Sequence, residues 1–186
     1  MIRKILPVAA VSAIVLTLAG ATLAQEVKSL GANPSSDQLI QALTPTPGTP
    51  PLKFRGIRLS TGKAPEAEPA ARAPAVALDI KFGLNSSELT PEAREVVKQL
   101  AAAMKSDQLA TYHFLLEGHT DSSGSRIHNI DLSKRRADAV RSYLVANYGI
   151  AADRLATAGK GPDAPLDAAN PASPANRRVQ IVNLGQ

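Results

Sequence analysis

The chain has 186 residues, 44% hydrophobic and only 3% aromatic, so one domain of ordinary size must build its core from Ala, Leu, Val and Ile. The formal net charge is +5, but residues 77–186 carry 13 basic and 12 acidic side chains, a balance of only +1, which leaves no basic stripe to follow a nucleic-acid backbone. With no cysteine, the chain excludes disulfides, thiolate metal sites and acylation at a lipoprotein signal, where Ala21 stands in the position of the lipidated residue.

Residues 1–24 read as a signal peptide: "MIRK" supplies a positive start, "ILPVAAVSAIVLTLAG" an apolar run, and "ATLAQE" small residues that fit cleavage after Ala21 or Ala24. The alternative is a retained anchor, because Ile5 to Ala24 is 20 uncharged residues, long enough to span a bilayer. In both cases everything after residue 24 is expected to cross the membrane, which places the protein in the periplasm. A proton-driven stator would need an ionisable residue in that segment, and it has none.

Residues 25–76 hold eight prolines and read as a mostly disordered spacer. Within it, "SSDQLIQAL" predicts a short helix capped by Ser35 or Ser36, with Leu39, Ile40 and Leu43 on one side; this is a transient turn or a docking motif for another envelope protein. "KFRGIRLS" is a further candidate strand, and there is no room for a transmembrane β-barrel.

Residues 77–186 read as the folded domain. "VALDIKFGL" alternates like a strand, and "LTPEAREVVKQLAAAMKS" opens a helix with Thr90 as cap and Pro91 at its first position. "TYHFLLEGH" is a second strand, a long helix stops at Gly149, and "RLATAG" and "NRRVQIVNL" are the last two strands. The order β-α-β-α-β-β predicts an α+β fold, a two-layer sandwich with helices packed on a small mixed sheet.

One stretch, "EGHTDSSGSRIHNIDLSKRRADAV", carries the functional signal. With Ser133 as cap of the long helix, Lys134, Arg135 and Arg136 crowd a first turn whose dipole opposes them, an arrangement that an anionic ligand group would relieve. On a helical wheel Ala137, Val140 and Leu144 mark the buried face, Arg135 falls opposite, and Arg136 lies about 85° to one side, suited to a half-buried guanidinium fork for a carboxylate. Asp121, at the end of the second strand, can face it. A carboxylate and a guanidinium held apart would recognise a zwitterion; the competing reading is a turn cap at Asp121 and a solvated charge at Arg136.

"GHTD" at 118–121, Gly124, Asn129, "LS" at 132–133, "RRA" at 135–137 and "NRRV" at 176–179 resemble the signature of OmpA-like domains, a family that includes the peptidoglycan-associated lipoprotein and the stator protein MotB. The resemblance covers about residues 77–186. It implies non-covalent binding of peptidoglycan through the diaminopimelate residue of the stem peptide, in the envelope of a Gram-negative cell, with Asp121 and Arg136 holding the charged groups. Asn129, Thr120 and Arg177 are implied as further contacts. Two departures stand out: His128 where members often have an aromatic residue, and Gly83 after Phe82 where many have an Asp.

No enzyme, cofactor or metal is expected. There is no G-x-S-x-G element, and the three histidines, 113, 119 and 128, are spaced 6 and 9 residues apart, too scattered for one element to present them to a metal.

Overall fold

The computed structural model describes residues 27–31, 33–45, 73–83 and 85–186. In chain order they form β1 (Val27–Ser29), α1 (Ser36–Leu43), β2 (Ala75–Leu78), α2 (Pro91–Lys105), β3 (His113–His119), α3 (Arg126–Tyr148), β4 (Leu155–Gly161) and β5 (Val179–Gly185). The expected signal peptide and the "KFRGIRLS" strand lie outside the described residues. Among those residues, no helix is long and apolar enough to cross a membrane.

The strands make one mixed sheet in the order β1-β2-β5-β3-β4. β2 and β3 both run antiparallel to β5, while β1 joins β2 and β4 joins β3 in parallel. Alternate residues turn to one face, where Val76, Leu78, Phe114, Leu116, Val179 and Ile181 meet the three helices in a single core. The opposite face carries Glu117 and Gln180, paired in register and hydrogen-bonded through their side chains at 3.3 Å. This is the α+β sandwich that the sequence predicts, with one strand and one helix added in front.

The reading of 25–76 as spacer is thereby corrected: its described residues, 27–31, 33–45 and 73–76, belong to the domain. Ser35 and Gln38 form a reciprocal capping box, Leu39 and Leu43 are wholly buried, and the Asn183 side-chain Nδ2 donates to the Leu43 carbonyl at 2.8 Å. Fully burying each leucine contributes roughly 1.5–3 kcal/mol, enough to hold a helix of two turns that would not persist alone. The helix therefore docks on its own domain, and its apolar side is not free for another envelope protein.

α2 starts as expected, with the Thr90 hydroxyl accepting from the Ala93 amide at 3.2 Å and Pro91 at the first position. α3 ends as expected at Gly149, whose φ is +66°. Its start differs. α3 begins at Arg126, so Ser133 is no cap: its hydroxyl donates to the Ile130 carbonyl and accepts from the Gly161 amide, completely buried where α3 crosses β4. The three cations thus lie two turns inside the helix, and the conflict with its dipole disappears. Lys134 pairs with Asp138 and Arg135 with Asp131, each four residues apart.

α3 lies directly on the backbones of β3 and β4. A Cβ on Gly118 would stand 1.9 Å from the Ser133 carbonyl oxygen, and one on Gly159 would stand 2.5 Å from that of Ile130. Two glycines thereby set the depth at which the helix, and every side chain on its inner face, sits over the sheet.

Candidate functional site

That inner face is a stripe of unusual composition: Asn129, Leu132, Ser133, Arg136, Ala137, Val140 and Leu144 are its buried residues. Their helical spacing is regular, yet three of the first four are polar. Arg136 is only 9% exposed, and its charge is met by no carboxylate among the described residues. Its Nε donates to the Ser86 carbonyl at 3.0 Å, and its guanidinium lies 5.0 Å from the centroid of the Phe82 ring. Phe82 and Ser86, in the connection between β2 and α2, are therefore site residues that sequence reasoning missed. The strand pattern around Phe82 gave no sign that its ring, packed against the core, would also face a cation.

β3 ends at His119, and Thr120 and Asp121 carry the chain over the top of the sheet. The Thr120 amide donates to the Gly161 carbonyl, and its buried hydroxyl has no partner among the described residues. Asp121 folds its own loop, accepting from the Ser123 amide at 3.0 Å. The Asn129 side chain donates to the Ser123 carbonyl at 2.7 Å, so this residue fastens the Asp121 loop to α3. Asp121 and Arg136 form no ion pair with each other, yet each feels the other's charge.

Arg177 takes a position between the two. Its Nη1 donates to Asp121 at 2.8 Å while half of its side chain stays in solvent. Burial would raise the Asp121 pKa, but the Arg177 guanidinium and the Ser123 amide outweigh it and hold this carboxyl below its ordinary value. For Arg136, burial and then the like charge of Arg177 lower the pKa, and Asp121 opposes them. Of the five residues singled out from the sequence, Asp121 and Arg177 are ion-paired, Asn129 holds the loop that carries Asp121, Arg136 feels the charges of both Arg177 and Asp121, and Thr120 adjoins Asp121 in the chain.

Asn176 is another residue that the sequence left unassigned. Wholly buried, it donates to the carbonyls of Asp167, Asn170 and Pro171 and accepts from the Asp167 amide, which sets the loop from which Arg177 reaches Asp121. Arg178, also buried, donates to the Ala164 carbonyl and to Gln180, and burial lowers its pKa to about 10. Arg136, Arg177 and Arg178 line one cleft of about 640 Å³, together with Phe82 and His119. A cleft with three guanidiniums attracts an anionic group, and Asp121, ion-paired to Arg177 of its lining, is a carboxylate that a cation can use. Among the described residues, no group of His, Cys, Asp or Glu could hold a metal ion.

His119 is 2% exposed, and among the described residues neither ring nitrogen has a hydrogen bond of ordinary geometry. Burial lowers its pKa to about 3, helped by the charges of Arg178 and Lys160 and offset only in part by the backbone of Ala164. The folded chain therefore refuses a proton that the unfolded chain accepts between pH 6.5 and 3, so stability falls as pH drops below 6.5. The slope approaches about 1.4 kcal/mol per pH unit. Urea unfolding at pH 7.5 and 5.5 should differ by about 1 kcal/mol from this group, and His119→Asn should remove that difference. An unchanged pH dependence in the variant would show that the imidazole is not held neutral.

The OmpA family profile matches residues 81–178. Outer membrane porin F of Pseudomonas aeruginosa is 38% identical over 107 residues, 56% of this chain and 30% of that protein. Peptidoglycan-binding protein ArfA of Mycobacterium tuberculosis is 36% identical over 167 residues, 82% of this chain and 49% of that protein, so the chain spans under half the length of either relative. The OmpA-like domain of FopA1 from Francisella tularensis shares the fold, with a TM-score of 0.51 at 23% identity over 58% of this chain and 71% of that one. With over half of its residues matched by the profile, the chain belongs to the OmpA family.

Proposed function

We propose that this cleft binds peptidoglycan non-covalently, through the ammonium and carboxylate at the end of a diaminopimelate side chain, and so tethers the protein or an envelope partner to the cell wall from the periplasm. The observation that carries this reading is Arg136: a buried guanidinium with no acidic partner among the described residues, beside an Asp121 that it does not neutralise. Keeping an unpaired charge out of water costs stability, and such a cost is tolerated where a ligand supplies the counter-charge. The ligand carboxylate meets Arg136; its ammonium meets Asp121, in the place that the half-exposed Arg177 holds when the cleft is empty. The name of the mycobacterial relative and the family membership support the same reading. The site holds a ligand and performs no reaction on it.

Two charge-assisted contacts contribute about 1.5–3 kcal/mol each, so one stem peptide should bind with a dissociation constant between about a micromolar and a millimolar. The wall offers many copies, and rebinding raises the retention. In sedimentation with insoluble peptidoglycan, the wild type should pellet, while Asp121→Ala and Arg136→Ala should stay in the supernatant with unchanged circular dichroism. Variants that are folded and still pellet would end this reading.

A further inference from the structure

The cleft is larger than the charged end of one side chain requires. Sites of about 300–1,000 Å³ enclose whole drug-sized ligands, and this one measures about 640 Å³. It runs from Arg136 and Arg177 to Ser29, Leu30 and Gly31, with Ile80 and Leu166 contributing apolar surface. Those first three residues lie outside the span that matches the family profile, so this end of the cleft is a feature of the chain's own N-terminal unit.

We propose that Ser29–Gly31, carried by β1 and α1, is a second wall of the ligand cleft and reads the part of the stem peptide beyond its charged end. This rests on the peptidoglycan reading above. Three connections hold the wall in place. β1 pairs with β2 through Val27, Lys28 and Ser29. The Leu30 amide donates to the Ala77 carbonyl at 3.4 Å, and Leu30 packs against the core. The next element, α1, is anchored by buried Leu39 and Leu43. A wall fixed in this way is pre-organised, so contacts to it lose little to ordering. Leu30, Ile80 and backbone in this lining suit the small apolar side chains and amide links of a peptide, and Asp79 and Lys81 in the same lining can meet a further polar group of the stem.

Gly31 allows a clean test, because a Cβ there meets nothing within 4 Å and no unusual backbone angle forbids it. Gly31→Trp should fill this end of the cleft with the fold intact. The probes are free diaminopimelate and the stem tripeptide of L-Ala, D-Glu and diaminopimelate, each titrated calorimetrically into the full chain. In the wild type the tripeptide should bind more tightly; in Gly31→Trp the ratio of the two affinities should fall at least tenfold. Ser29→Trp, at the exposed neighbouring wall position, should lower the ratio in the same direction and covers the case in which the first variant is unstable. An unchanged ratio in a folded variant would show that the peptide does not reach this wall. Failure of the wild type to bind either probe would instead remove the underlying peptidoglycan reading.

Discussion

Gly118→Ala should lose at least about 3 kcal/mol of stability, the upper end of what overpacking usually costs. The added methyl would stand 1.9 Å from the Ser133 carbonyl oxygen and 2.7 Å from its carbon. Those atoms belong to a helix backbone and cannot turn aside as a side chain does, so α3 must lift from β3 as a body. Lifting it would also disturb the Ser133–Gly161 hydrogen bond and shift Asn129 and Arg136, which ride on the same face. Wall binding should therefore fall together with stability, although Gly118 touches no ligand group. Urea unfolding measures the first effect and sedimentation the second. A variant as stable as the wild type would mean that the helix does not pack as closely as described.

The same helix explains what the sequence conceals. Thr90 with Pro91, and Gly149, mark helix ends by local chemistry, and both ends fall where that chemistry puts them. The start of α3 carries no such mark: Ser125 makes no side-chain cap bond, while Ser133 imitates one from inside. Hydrophobic periodicity fails there as well, because the inner face is half polar, with Asn129, Ser133 and Arg136 occupying positions that apolar residues would normally mark. Arg136 and Asp121 were legible through their types and their order around a chain reversal. Phe82, Ser86 and Asn176 were not, since each acts through a carbonyl or a ring brought in by tertiary packing. The helix, its serine cap and its leucines were legible in "SSDQLIQAL", but the proline-rich composition averaged over 25–76 concealed that they complete the core of the domain.

The Arg136 environment is one that stability alone would not select. A guanidinium beneath the surface, lowered in pKa by burial and by its neighbour Arg177, and bound among the described residues to one carbonyl and an aromatic face, holds unused capacity for a carboxylate. Asp121 is the reverse case, a carboxylate well supplied by Arg177 and Ser123, with 13% of its side chain exposed. An ammonium alone must compete with Arg177 for Asp121; an ammonium joined to a carboxylate gains Arg136 at the same time. The two contacts are therefore expected to be worth far more on one side chain than on separate ligands.

Calorimetric titration of the full chain with three stem tripeptides tests this most directly: one ending in diaminopimelate, one with that side-chain carboxylate amidated, and one with lysine in its place. The diaminopimelate peptide should bind at least tenfold more tightly than either of the others, the loss being about 1.4 kcal/mol or more. Equal affinity of the wild type for the lysine peptide would contradict recognition of a dipolar side chain by Asp121 and Arg136.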